Sequence, residues 1–171
     1  MQQQAQVMET KIVMSDPTAL GVFGLATVTF VAASAKLGWT SGVTFLIPWA
    51  LFLGSIAQIW ASTIGAIVLG AYGLFWIAVA MHWAISLGWF GPLDPAKADP
   101  RQFAFACIAY FIFSIFIMVA AFEANKVFAA ILVLINVLLP SLALSMLGVA
   151  PAFFSGAAAW SELAIALLGF Y

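Results

Sequence analysis

Few side chains in this sequence could do chemistry, and most of them lie inside apolar runs: Thr27, Thr29, Gln58, Tyr72, His82, Ser86, Ser114, Asn136, Ser141, Ser145 and Glu162. In hydrocarbon each needs a hydrogen-bond partner or a wetted space. Ser and Thr can return their hydroxyls to a carbonyl one helical turn earlier. Gln58 and Asn136 have more groups to satisfy, so they must face protein, either bonded to a neighbouring helix or lining a path. His82 is the only histidine; it can relay protons or sit near the water interface beside Trp89. Glu162 lies about ten residues into the apolar stretch 152–171, where a carboxylate must be protonated, wetted or close to a helix mouth.

The same residue set rules out several kinds of site. His82 has no second His and no carboxylate nearby in sequence, and Cys107 is alone, so neither a metal centre nor an internal disulfide can be assembled. The polar segments hold no glycine-rich phosphate loop, no Ser-His-Asp set and no paired carboxylates. An enzyme site therefore has almost nothing to be built from, and no cofactor is called for. Thr27, Tyr72, Gln58 and Asn136 are left as weak donors that can bond a neighbouring helix or line a path, while Glu162 and His82 are the candidates for moving a proton.

The elements that must position these residues are set by hydrophobicity. Residues 37 to 93 contain no charged side chain, and about 20 apolar residues cross a bilayer, so this stretch alone must cross more than once. With 66% hydrophobic and 6% charged residues the chain has too little charge to cover a water-facing surface. A net charge of -1 with scattered Lys and Arg excludes nucleic acid as a partner. Residues 1–15 read as a polar tail without the layout of a cleaved signal peptide.

Punctuation divides the remainder into an all-α bundle of six transmembrane helices, at about 18–36, 42–62, 66–87, 103–122, 127–147 and 152–171. Asp16 caps the first span and Pro17 suits its first turn. Residues 62–65 form a tight turn between spans two and three. Three prolines and four charges between Gly88 and Arg101 make the one substantial aqueous loop. Glu123 to Lys126 and Gly148 to Pro151 make the last two turns. Six spans put both termini on one side, with the Asp94–Arg101 loop opposite, and Lys and Arg are too evenly divided to orient the protein. Pairs of small residues such as Ala66 with Gly70 and Gly70 with Gly73 let helices approach closely.

Four stretches together resemble the acetate uptake transporter family: Asp16-Pro17-Thr18-Ala19-Leu20-Gly21-Val22-Phe23-Gly24-Leu25, Ile56-Ala57-Gln58-Ile59, Ala71-Tyr72-Gly73-Leu74-Phe75-Trp76 and Asn125-Lys126-Val127-Phe128. That family opens its first helix with Asn-Pro-Ala-Pro-Leu-Gly-Leu, against which Asp16 replaces Asn, Ala19 replaces the second Pro, and Pro17, Leu20 and Gly21 are kept. The connector between spans two and three is shorter than usual. The resemblance implies a hexamer in the cell membrane, each protomer moving small monocarboxylates such as acetate, and sometimes succinate, with a proton. It also implies a constriction of large side chains from the first, third and fifth helices, which falls on Leu25, Tyr72 and Ile135, with the Tyr72 hydroxyl available to a passing carboxylate. Two other readings are a passive channel for small neutral solutes and a non-transporting structural membrane subunit.

Overall fold

A backbone in lipid must satisfy its own hydrogen bonds, and the chain does so with helices. The computed structural model describes residues 18–40, 47–51, 63–92, 99 and 101–171, without the side chains of 18–20, 63–66 and 124. Its elements are α1 (Thr18–Lys36), α2 (47–51), α3 (Thr63–Ser86), α4 (Gln102–Ala124), α5 (Lys126–Met146) and α6 (Pro151–Gly169), with no strand among the described residues. Four of these are long and apolar enough to cross a bilayer: Ile67–Ser86, Gln102–Glu123, Lys126–Met146 and Pro151–Gly169. The protein is an all-α integral membrane bundle. Large apolar side chains point outward, among them Leu74 and Met81 on α3, Phe105 and Phe116 on α4, and Phe153 and Trp160 on α6. Such a surface suits lipid or another protein rather than water.

Helices α1, α3 and α5 run parallel to one another. Gly21, Val68 and Phe128 share one level, and Thr29, Trp76 and Leu138 share another further along all three. Helix α6 runs the other way against α1, because Gly169 lies at Val22 and Ala26 while Glu162 lies at Lys36. Helix α4 is likewise antiparallel to α3, with Tyr110 over Phe75 and Phe103 over His82.

The three parallel helices end in the same way. Gly38, Gly88 and Gly148 take φ of 75°, 77° and 81°, and the next residue's N–H reaches back to a carbonyl of the last turn: Trp39 to Ser34, Trp89 to Ala84 and Val149 to Leu144. This is the left-handed glycine ending that only a residue without Cβ adopts easily. It leaves Trp39 and Trp89 exposed on one side of the bundle, where tryptophan suits the lipid–water boundary. Between α4 and α5 a single extended residue, Asn125, suffices. Its N–H bonds the Ala121 carbonyl, and its side-chain oxygen accepts from the N–H groups of Val127 and Phe128 at 2.8 and 3.1 Å.

One local expectation changes. Helix α3 starts at Thr63, inside the turn expected at 62–65, because carrying the helix through an apolar run satisfies backbone groups that a turn would leave open. Within the protomer Gly70 has open space beside it. A Cβ on Gly169 would come within 2.8 Å of the Ala26 Cβ, and one on Gly21 would meet the Leu69 side chain.

Candidate permeation path

One face of α1 carries Leu25, Thr29, Ala32 and Lys36, spaced four, three and four residues apart and so aligned along the helix. Helix α3 brings Val68, Tyr72, Phe75 and Trp76 toward this face, and α5 brings Phe128, Leu132, Ile135, Leu138 and Leu139. Two small cavities lie between these helices. The first is lined by Gly21, Leu25, Val68, Leu69, Tyr72, Gly73, Phe128, Leu132 and Ile135. The second, nearer the C-terminal ends of the parallel helices, is lined by Leu25, Thr29, Tyr72, Phe75, Trp76, Ile135, Leu138, Leu139 and Ile165. Leu25, Tyr72 and Ile135 are the three side chains that belong to both, so they stand between the cavities.

The walls are almost wholly carbon. Thr29 lines the second cavity, but its hydroxyl donates to the Leu25 carbonyl at 2.8 Å. The Tyr72 hydroxyl is buried beside Ser114 of α4, outside hydrogen-bond geometry, and neither oxygen has a partner among the described residues. Tyr72 therefore presents ring carbons to the cavities, where the sequence suggested a hydroxyl. Its ring meets Tyr110 and Phe113 of α4 at centroid distances of 6.3 and 6.1 Å.

A model of the GPR1/FUN34/yaaH family matches residues 2–171. The chain belongs to this family. It is the family that the four stretches together resemble. A relative, the meiotically up-regulated gene 86 protein of Schizosaccharomyces pombe, is 25% identical over 173 residues. That match covers 85% of this chain and 56% of the relative, so the chain spans about half the relative's length. Among solved structures, the bacterial acetate channel SatP has the same fold, with a TM-score of 0.78 and 17% identity over 93% of this chain and 90% of that one.

In this GPR1/FUN34/yaaH family member the other sequence candidates fall in several places. Asp16, Pro17 and Gln58 lie outside the described residues, and Leu20 is described only as helical backbone. Gly21 is buried at the first cavity, where lack of a side chain lets α1 approach Leu69. Thr27 lines neither cavity. Two residues from Leu25 and from Thr29, it is on the opposite face of α1 and donates to the Phe23 carbonyl at 2.9 Å. Asn136 also lines neither cavity; turned away from Ile135, it donates to the Leu132 carbonyl at 3.0 Å and to the Met118 sulfur of α4. His82 lies near the end of α3, half-buried, stacked on Phe103 with centroids 4.8 Å apart.

Glu162 is 1% exposed, in the body of α6 rather than at its mouth. Its Oε1 accepts from the Lys36 ammonium at 2.5 Å, and its Oε2 has no partner among the described residues. Read locally, Lys36 ends a span and looks like an ordinary interfacial cation. The residue that gives it meaning is 126 positions away.

Proposed function

We propose that this protein moves small monocarboxylates such as acetate, with succinate a further candidate, across the cell membrane together with a proton, each protomer of a homo-oligomer holding its own path. The observation that carries this reading is the placement of Leu25, Tyr72 and Ile135 together between two cavities at the centre of α1, α3 and α5. A small carboxylic acid has a pKa of about 4, so roughly one molecule in a thousand is neutral at pH 7. An apolar constriction passes that neutral form far more readily than the anion. Uptake should rise as the outside is acidified.

Family membership and the fold shared with a bacterial acetate channel support this reading. The same likeness favours a second one, passive conduction of acetate without coupling. Purified protein in liposomes, given labelled acetate under an imposed pH gradient, separates the two: accumulation against the acetate gradient marks coupled transport, and equilibration marks a channel. Ile135→Ala tests the constriction. It should raise the flux of longer acids relative to acetate per folded protomer by roughly tenfold, the scale of selectivity that a few methylene groups confer in an apolar site. An unchanged ratio would remove Ile135 from the path.

A further inference from the structure

The face of α1 that carries Leu25 at the constriction and Thr29 in the second cavity continues through buried Ala32 to Lys36. On α6, Glu162 lies one turn from Ile165, which lines the same cavity. Lys36 and Glu162 line neither cavity themselves; they lie two turns beyond Thr29 on α1 and one turn from Ile165 on α6. Lys36 is 25% exposed and Glu162 1% exposed, so the pair joins an accessible cation to an enclosed acid. Half of that carboxylate is unengaged, since Oε2 has no partner among the described residues. From α4 the buried Cys107 is within electrostatic range of Lys36. The bodies of α5 and α6 bring no further titratable side chain, and α3 brings only Tyr72 and His82.

We infer that Lys36 and Glu162 form an exchangeable carboxylate site at the end of the path, in which the substrate's carboxylate replaces that of Glu162 on the Lys36 ammonium. The exchange balances in protons and charge. A neutral acid arrives through the constriction and its O–H bond breaks; the proton passes to Glu162 Oε2, forming a neutral carboxylic acid. The substrate, now an anion, takes over the hydrogen bond from Lys36 Nζ. One ammonium and one carboxylate are present before and after, so no charge is left alone in a dry place at either stage. Release toward the side where Lys36 is accessible lets Glu162 return to Lys36 as its proton leaves. The inference rests on the reading of the protein as a carboxylate carrier, and it supplies the polar group that the cavity walls lack.

The rival is a structural ion pair that fastens the end of α1 to α6. Isotope-edited infrared difference spectroscopy on the purified protein, titrated with 13C-carboxyl-labelled sodium acetate, reads the exchange directly. A protonated-carboxyl band of unlabelled protein should appear on acetate addition, be absent in Glu162→Gln, and not appear with sodium chloride. Neutralising both partners, Lys36→Met with Glu162→Gln, avoids stranding a charge and so preserves folding. In liposomes that double variant should raise the KM for acetate roughly tenfold or more, the scale of one charge-assisted hydrogen bond. No band at saturating acetate, or an unchanged KM in the folded double variant, overturns the site. If the band appears while wild-type vesicles carry no acetate, the carrier reading falls and the site stands.

Discussion

The seam between α1 and α6 and the seam between α3 and α4 are built on different principles. At the first, backbones nearly touch where Gly169 meets Ala26, and a charge pair joins Lys36 to Glu162. At the second, rings fill the space: Phe75 lies 4.8 Å from Tyr110 and 5.8 Å from Phe103, and Phe103 stacks on His82. The only direct hydrogen bond described there runs from the Tyr110 hydroxyl to the Ala71 carbonyl at 3.0 Å. A seam of backbone and charge tolerates little displacement. A seam of rings can slide and repack, because many arrangements of aromatic contacts have similar energy. Tyr72 belongs to the yielding seam, while Leu25, next to Ala26 of the firm one, shares the second cavity with Ile165 of α6.

The largest effect should come from breaking the charge pair on one side only. Lys36→Met strands the Glu162 carboxylate and should cost about 3–5 kcal/mol, read by thermal unfolding in detergent at neutral pH, with most of the loss recovered by adding Glu162→Gln. A loss that the second change fails to recover would show that the Lys36 stem, not the charge, secures the seam. Next comes Gly169→Ala. The new methyl meets the fixed Cβ of Ala26, so α1 and α6 must separate, with an expected loss of about 1–3 kcal/mol. Gly21→Ala should cost less, since it meets only the flexible end of Leu69. On the aromatic side, Tyr110→Phe keeps the ring and removes the bond to Ala71, and about 0.5–1 kcal/mol should be lost by the same assay.

The smallest effect belongs to the segment before α4. Hydrogen bonds from the Arg101 guanidinium and N–H hold the exposed Asp99 carboxyl below the usual carboxylate range. Because that value is lowered in the fold, whatever the pair contributes is present at neutral pH and disappears as pH falls through the lowered value. The pair is exposed, so Asp99→Asn should leave the unfolding temperature unchanged across the acid range. A measurable shift would mean that this turn is more tightly tied to the bundle than its exposure suggests.

The membrane class and the all-helical fold were legible in the sequence because lipid imposes them: long uncharged runs have no other stable form, and Gly38, Gly88 and Gly148 mark the ends of three helices. Faces were not legible. A helix that is apolar all round shows no hydrophobic stripe, so nothing in α1 told Thr27 from Thr29, and only the packed structure turns Thr29 inward. Asn136 was recognised as a residue that must face protein, and it does, but it faces α4. The Lys36–Glu162 pair was invisible because local sequence carries no information about a partner on the last helix. Leu25, Tyr72 and Ile135 were assigned by family resemblance, not by periodicity, and their sharing of two cavities is a property of three helices at once.

Cys107 is wholly enclosed on α4 and is the chain's one thiol. To a water-borne maleimide the native protein is therefore silent, since an enclosed thiol reacts poorly. A cysteine introduced at Ala98, between α3 and α4, would be the single reporter on an already blank background. The compartment from which a membrane-impermeant maleimide reaches it gives the protein's orientation, which its evenly divided lysines and arginines leave open.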